Sequence, residues 1–228
     1  MKVFPYLCRN MRAVSISQLW SRAWDLFKVN WLLLVGLLVL SIIVILIPFI
    51  GALIVGILLL PALVQAGYLV ARQGQSSFGE AIRDISLLLK VFVYYLILGL
   101  IPGILIGVGY ILERDSAGTV VVGYILLFIL YLLGWAGPYA ILSGRAGIFG
   151  AIGQSFSLTA QNFEKVFLAL LPYIGLSIFV YISGRVVSLQ WFYIVWTLMG
   201  SPIVVSMGLV FLPLLYLALT GEEGASLS

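Results

Sequence analysis

The sequence predicts an all-α integral membrane protein, because it is far more apolar than a water-soluble domain and its uncharged stretches have the length of membrane spans. Hydrophobic residues make up 63% of the 228 positions and charged residues only 9%, against roughly 45–50% and 25% in soluble domains. A helix needs about 20 apolar residues to cross the hydrocarbon core of a bilayer. We therefore expect a single polytopic membrane domain over residues 1–228.

The uncharged stretches predict six transmembrane helices. Val29–Ala71 is long enough for two crossings, and Pro48 and Gly51 in its middle indicate the turn of a tight helical hairpin. The stretch from Val186 to Gly221 is interpreted as an interfacial piece followed by a last span. The six predicted spans cover about residues 31–48, 52–71, 90–111, 118–142, 165–184 and 197–219.

The distribution of basic residues predicts the direction of these spans, since loops rich in Lys and Arg stay on the cytoplasmic side. With six spans, one side of the membrane carries only Arg114 and Arg185. The other side carries Lys2, Arg9, Arg12, Arg22, Lys28, Arg72, Arg83, Lys90, Arg145 and Lys165. This ten-to-two bias predicts that the amino and carboxyl termini are both cytoplasmic.

A more polar segment with helical spacing of its apolar residues precedes the first, third and fifth spans, at about residues 14–29, 76–88 and 147–162. The first and third segments align without gaps, so that Trp24 falls on Phe156 and Asn30 on Asn162. We expect each segment to be an amphipathic helix at the cytoplasmic interface. Together with the spans, they predict three hairpin repeats.

The second span of each predicted hairpin contains a proline, at Pro61, Pro138 and Pro213, which are 77 and 75 residues apart. Proline removes one backbone hydrogen bond from a helix, and discontinuous helices form the central binding sites of many transporters. Proline is also common in membrane helices that merely bend. Both interpretations of these prolines are open from the sequence.

The polar segments contain two clear motifs, Ala23-Trp24-Asp25-Leu26-Phe27-Lys28-Val29-Asn30 and Ser155-Phe156-Ser157-Leu158. These motifs resemble those of a broad group of bacterial six-span membrane proteins. The group includes the membrane domain attached to some glycerophosphodiester phosphodiesterases and several uncharacterised inner-membrane families. The resemblance implies a module of the prokaryotic plasma membrane, and it does not imply hydrolysis, because the catalytic domain is absent from this sequence.

Two sets of residues in the spans are candidates for a functional site. Gly99, Gly103 and Gly107 leave one helix face without side chains, so another helix of this chain or of another subunit can approach closely. Gln65 is the most deeply placed amide. It could line a polar cavity together with Tyr68, Tyr94 and Tyr95, or it could form an interhelical hydrogen bond.

Catalytic and metal chemistry have little support in the sequence. The chain has no histidine, one cysteine and eight acidic residues, so the ligands for a zinc, haem or copper site are missing. The charged group Glu113-Arg114-Asp115 has neither a neighbouring histidine nor a nucleophile motif. We therefore expect neither a catalytic site nor a cofactor.

The expected partners are membrane lipids and either a membrane protein or a second copy of this chain. Nucleic acid is not expected despite the net charge of +4, because the basic residues lie near predicted membrane boundaries, where anionic lipids explain them. The sequence thus favours a non-enzymatic scaffold or accessory subunit. The alternative is a permease, or the substrate-binding membrane subunit of a transporter, for an uncharged or amphiphilic solute, since no ionisable residue lies near a span centre.

Overall fold

A computed structural model of the protein describes residues 15–47, 50–111, 117–172, 175 and 201–222, and every regular element among these residues is a helix. Five helices are long and apolar enough to cross a membrane: Ile16–Ile45, Ile50–Gln73, Ile85–Val108, Val121–Leu142 and Ile203–Thr220. The predicted class of an all-α membrane protein is therefore confirmed. Most of the predicted span 165–184 lies outside the described residues, as do Arg114, Arg185 and the basic residues before Ser15.

Ten helical elements have defined bounds among the described residues. They are α1 (Ile16–Ile45), α2 (Ile50–Ile54), a π-helix (Val55–Leu59), α3 (Leu60–Gln73), α4 (Phe78–Ala81), α5 (Ile85–Ile111), α6 (Ala117–Gly134), α7 (Gly137–Leu142), α8 (Ile148–Gln161) and α9 (Ser201–Thr220). Residues 163–172 are also helical. α2, the π-helix and α3 are continuous, whereas a turn separates α6 from α7.

The first predicted amphipathic segment and the first predicted span form one continuous helix. α1 begins after Ser15, whose side chain forms a capping box with Gln18, and it passes through Asn30 without interruption. No proline or glycine separates the two segments, and the Asn30 side chain bonds to the Leu26 carbonyl within the same helix. The predicted boundary between 14–29 and 31–48 is therefore not a break in the structure.

The other two amphipathic segments differ from each other. Within residues 76–88, α4 is a single turn and α5 already begins at Ile85, so the predicted interfacial helix is mostly missing. Two N-terminal caps divide this segment, because Ser77 caps α4 and the Asp84 carboxylate accepts a hydrogen bond from the Leu87 N–H. The segment 147–162, in contrast, forms the separate helix α8.

The three aligned prolines have three different surroundings. Pro61 is the second residue after the π-helix, whose wider turn accommodates a residue that cannot donate a backbone hydrogen bond. Pro138 lies in the first turn of α7, immediately after the break between α6 and α7. Pro213 lies inside α9, which continues past it. Equal spacing along the chain therefore does not produce equal helix geometry.

Two packing groups form the described bundle. α1, α3 and α9 contact one another, and α5 pairs with α6 along most of its length. α3 and α5 also contact α7, which joins the two groups. The largest fully buried side chains are Leu26, Leu34, Leu63, Val70, Leu88, Val91, Tyr94, Ile141, Phe211, Leu215, Tyr216 and Leu217.

A close contact in the first group joins α3 and α9 at a glycine. A Cβ atom at Gly67 would overlap the backbone carbonyl of Leu209. This carbonyl lacks its usual α-helical donor, because the residue four positions later is Pro213. Gly67 therefore lets the two backbones meet where a carbonyl is free, a geometry typical of Cα–H···O contacts between membrane helices.

We expect Gly67→Ala to destabilise the fold. The added methyl group would force α3 and α9 apart, and overpacking of this kind lowers the free energy of unfolding by about 1–3 kcal/mol. The matched control is Gly36→Ala, because no atom lies within 4 Å of a Cβ at Gly36. Reversible unfolding of both variants in mixed detergent micelles would measure the difference. Equal stability of the two variants would contradict the close contact.

Candidate functional site

The break between α6 and α7 places free backbone groups inside the bundle. Pro138 has no N–H, so the Gly134 carbonyl, four residues earlier, loses its helical donor. The Tyr94 hydroxyl on α5 donates a hydrogen bond to this carbonyl. Tyr94 is completely buried. A side chain of a neighbouring helix thus replaces the missing backbone donor.

Two hydroxyl groups of α8 bond to further groups at the break. The Ser155 hydroxyl donates to the Leu133 carbonyl at 2.8 Å and accepts from the Ala136 N–H at 3.0 Å. The Thr159 hydroxyl, one helical turn later, also donates to the Leu133 carbonyl, at 3.3 Å. It accepts from the indole N–H of Trp135 at 3.1 Å. Ser155 and Thr159 are both buried, so α8 is fastened to the broken helix by polar contacts inside the protein.

Small residues make room for the tyrosine at this break. A Cβ atom at Gly137 would overlap the ring of Tyr94, and one at Gly134 would collide with Leu98. About three helical turns earlier in α6, a Cβ atom at Gly123 would collide with Ile106 of α5. The sequence prediction missed these three glycines, because they lack the regular spacing of a packing motif. The dipeptide Gly137-Pro138 was the available signal.

Three tyrosines connect the ends of α3, α7 and α9. The rings of Tyr68 and Tyr139 stack with their centroids 6.3 Å apart, and those of Tyr139 and Tyr216 are 5.8 Å apart. The hydroxyls of Tyr216 and Ser143 lie 3.3 Å from each other. Beyond them, Arg145 and Glu222 form an ion pair with a separation of 2.9 Å between Nε and Oε1.

Asn30 holds the end of α3 against the middle of α1. Its side-chain amide donates to the carbonyls of Leu26 and Gly74, both at 2.9 Å. Its carbonyl oxygen accepts a long hydrogen bond of 3.4 Å from the Ser76 N–H. Gly74 ends α3 with a φ of 89°, a left-handed conformation that favours glycine. Asn30 is 6% exposed, so these bonds are shielded from water.

The aligned residues of the third segment share only part of this arrangement. The Asn162 amide donates to the Leu158 carbonyl four residues earlier, as Asn30 does to Leu26. Asn162, however, ends its helix, whereas Asn30 lies inside α1. Trp24 is exposed and stacks on Phe27, while Phe156 packs against the core.

Of the four residues predicted to line a polar cavity, the structure places one at a described cavity. A crevice of about 570 Å³ lies between α3, α4 and the start of α5. It is lined by Gln65, Leu69, Gln73, Glu80, Arg83, Asp84, Ile85 and Leu87. Tyr68, Tyr94 and Tyr95 are not among these residues. Tyr94 supports the helix break instead, and Tyr95 stacks on Tyr131 with ring centroids 6.1 Å apart.

The predicted glycine motif of α5 faces none of the described helices closely. No atom of the described residues lies within 4 Å of a Cβ built at Gly99, Gly103 or Gly107. α5 contacts α6 through a different face, where Gly123 meets Ile106 and the carbonyl of Pro102. Packing within the described part of the bundle therefore does not explain the three glycines. Elsewhere in that part, no group of His, Cys, Asp and Glu side chains is arranged to hold a metal ion.

We expect Asn30→Leu to destabilise the junction of α1 and α3 strongly. It would leave the Gly74 carbonyl and the Ser76 N–H without this partner, and each unsatisfied group costs about 1–3 kcal/mol. Asn162→Leu is the matched control, because among the described residues the Asn162 amide bonds to a carbonyl of its own helix and to no other helix. Thermal unfolding in detergent and amide hydrogen exchange at residues 74–77 would report the effect. A larger effect at Asn162 would contradict the role given to Asn30.

The double variant Ser155→Ala/Thr159→Val should loosen α8 from the helix break. The Leu133 carbonyl and the Ala136 N–H would lose their partners, so we expect the free energy of unfolding to fall by about 2–5 kcal/mol. Ser157→Ala is the matched control, since Ser157 lies on the exposed face of the same helix. The melting temperatures of the three proteins in one detergent would be compared, and a control as unstable as the double variant would argue against the bonding pattern.

Comparisons with known proteins give no relative for this chain. No protein-family model matches it, and neither a curated protein nor a solved structure matches it. The resemblance of its amphipathic segments to the bacterial six-span group therefore stays a prediction. What the chain does has to be inferred from its own contacts.

Proposed function

We propose that this chain is a non-enzymatic membrane protein that acts as a scaffold or accessory subunit. In this role it associates with lipids and with either a membrane-protein partner or a second copy of itself. The observation that carries the proposal is the helix break at Trp135–Ala136, whose free backbone groups are bonded by the protein's own side chains.

In transporters, the ends of broken helices offer their free backbone groups to the substrate or to the coupling ion. Here the carbonyls of Leu133 and Gly134 and the N–H of Ala136 already have partners. A solute would have to displace Tyr94 or Ser155 to reach them. This arrangement supports a break that fastens helices together.

The lipid-facing side of the bundle offers surface for association. Leu100, Ile104 and Ile125 are between 55% and 56% exposed, and they lie on the two helices that form the α5–α6 pair. Gly103 lies beside them on α5, and the described residues leave space there for a further helix. Lipid or a partner helix would cover this surface in the membrane.

We also propose three related hairpins in the prokaryotic plasma membrane, with the end that holds the Asn30–Gly74 bond facing the cytoplasm. Similar helix ends support the repeat: Gly74, Gly144 and Gly221 all have positive φ. Gly74 follows Tyr68 by six residues, and Gly144 and Gly221 follow Tyr139 and Tyr216 by five residues each. The excess of basic residues on the predicted cytoplasmic side supports the orientation.

The competing function is a permease, or the substrate-binding membrane subunit of a transporter, for an uncharged or amphiphilic solute. The π-helix before Pro61 favours it, since π-helices inside α-helices are frequent at functional sites. Thermal stabilisation of the purified protein by such a solute, or its uptake into vesicles, would support this function over a scaffold.

Purification of the tagged full-length chain in mild detergent tests the leading proposal. We expect a defined oligomer or a co-purifying membrane protein, and we expect Gly103→Leu to reduce the associated fraction by filling the open face of α5. Gly36→Leu is the matched control on α1, where a Cβ is equally free. A strictly monomeric chain without a partner would count against a scaffold role.

A further inference from the structure

We propose that the crevice between α3, α4 and α5 binds the headgroup of a phospholipid that carries a primary ammonium group. The acyl chains of this lipid would lie along the outer face of α5. Phosphatidylethanolamine has this chemistry. The proposal depends on a buried acceptor, on three charged side chains and on the apolar surface that continues from the crevice.

The buried acceptor is the side-chain oxygen of Gln65. This residue is 7% exposed and lines the crevice. Its amide nitrogen donates to the Glu80 carbonyl at 3.3 Å, which determines the orientation of the group because a carbonyl can only accept. No donor among the described residues bonds to the remaining oxygen. A buried acceptor without a donor is costly, so a ligand that brings an N–H group into the crevice would be stabilised.

The charged side chains match a zwitterion. Glu80 and Asp84 each use one carboxylate oxygen in a helix cap, toward the N–H groups of Ser77 and Leu87, so each has a second oxygen to accept from an ammonium group. Arg83 lines the same crevice and forms no ion pair with the described residues. Its guanidinium group is suited to a phosphate.

The apolar surface begins at the crevice and follows α5. Ile85 lines the crevice and is 62% exposed. Leu89, Leu96 and Leu100 are also exposed, and the spacing of four, seven and four residues puts all four side chains on one helix face. Gly103 and Gly107 continue that face without side chains. An acyl chain can therefore lie along α5 while its headgroup occupies the crevice.

Primary ammonium is the feature that distinguishes this lipid from its commonest zwitterionic alternative. The ammonium group of phosphatidylethanolamine has three N–H donors, whereas the trimethylammonium group of phosphatidylcholine has none. Both lipids present the same phosphate to Arg83. The hydrogen bond to Gln65 should therefore give the ethanolamine lipid a higher affinity than the choline lipid, although the two have the same net charge and the same acyl chains.

Native mass spectrometry of the full-length chain tests this selectivity. The protein in mild detergent would be titrated with palmitoyl-oleoyl phosphatidylethanolamine and, separately, with palmitoyl-oleoyl phosphatidylcholine. We expect about tenfold tighter binding of the ethanolamine lipid, the difference that one charge-assisted hydrogen bond produces. Equal binding of the two lipids would overturn the proposal. Binding of free phosphoethanolamine as tight as that of the lipid would overturn the part played by the acyl chains.

Variants assign the selectivity to individual side chains. Gln65→Met removes the acceptor and should abolish the preference, whereas Gln65→Glu keeps an acceptor and should retain it. The control Gln75→Met changes an exposed glutamine outside the crevice. Arg83→Gln should weaken the binding of both lipids. Lys90→Gln removes a nearby charge outside the crevice and should leave the binding of both lipids unchanged.

The melting temperature of each variant in detergent would show that it is folded before lipid is added. If the folded Gln65→Met protein keeps the preference for the ethanolamine lipid, the proposed site is wrong. Gln65 and Arg83 line the crevice, whereas Gly103 lies outside it on α5, so the crevice variants test lipid binding and Gly103→Leu tests association with a partner.

Discussion

Inside a membrane, every backbone polar group needs a partner within the protein, since hydrocarbon offers none. Pro61, Pro138 and Pro213 make that constraint acute, because a proline inside a helix leaves a carbonyl without its helical donor. The structure meets the requirement differently at these three prolines. A π-helix precedes Pro61, the Tyr94 hydroxyl bonds to the carbonyl that Pro138 leaves free, and the carbonyl opposite Pro213 lies against Gly67.

The same constraint explains how the buried polar side chains are used. Asn30, Ser155 and Thr159 bond mainly to backbone groups at helix ends, where a helix in hydrocarbon is weakest. These bonds also join separate elements, since Asn30 connects α1 to the end of α3, and Ser155 connects α8 to the break after α6. Polar side chains that could bind a solute are thus used to join the helices of the protein. This use is the physical basis for proposing a scaffold.

The crevice at Gln65 differs from the polar contacts inside the described bundle. Its buried oxygen has no partner among the described residues, and charged side chains line it. It lies where α3 ends and α5 begins, and the apolar face of α5 leads away from it. A lipid unites these two features, since it has a polar head and long apolar chains. The bundle interior and this outer recess therefore have different roles in our proposals.

The sequence by itself determined the all-α membrane class and the approximate position of the described spans, because the length of an apolar run is tied directly to the thickness of the bilayer. It also singled out Asn30 and the helix-breaking Pro138.

Only the tertiary structure decided which glycines are closely packed. The regular spacing of Gly99, Gly103 and Gly107 defined a helix face but not what lies opposite, whereas the isolated Gly67 and Gly137 meet a carbonyl and a tyrosine ring. The sequence did not predict the crevice either. Its charged residues lie in a segment that was predicted as one helix, whereas in the structure two N-terminal caps divide this segment. Periodicity along a chain describes one helix at a time, and contacts depend on how two helices are placed.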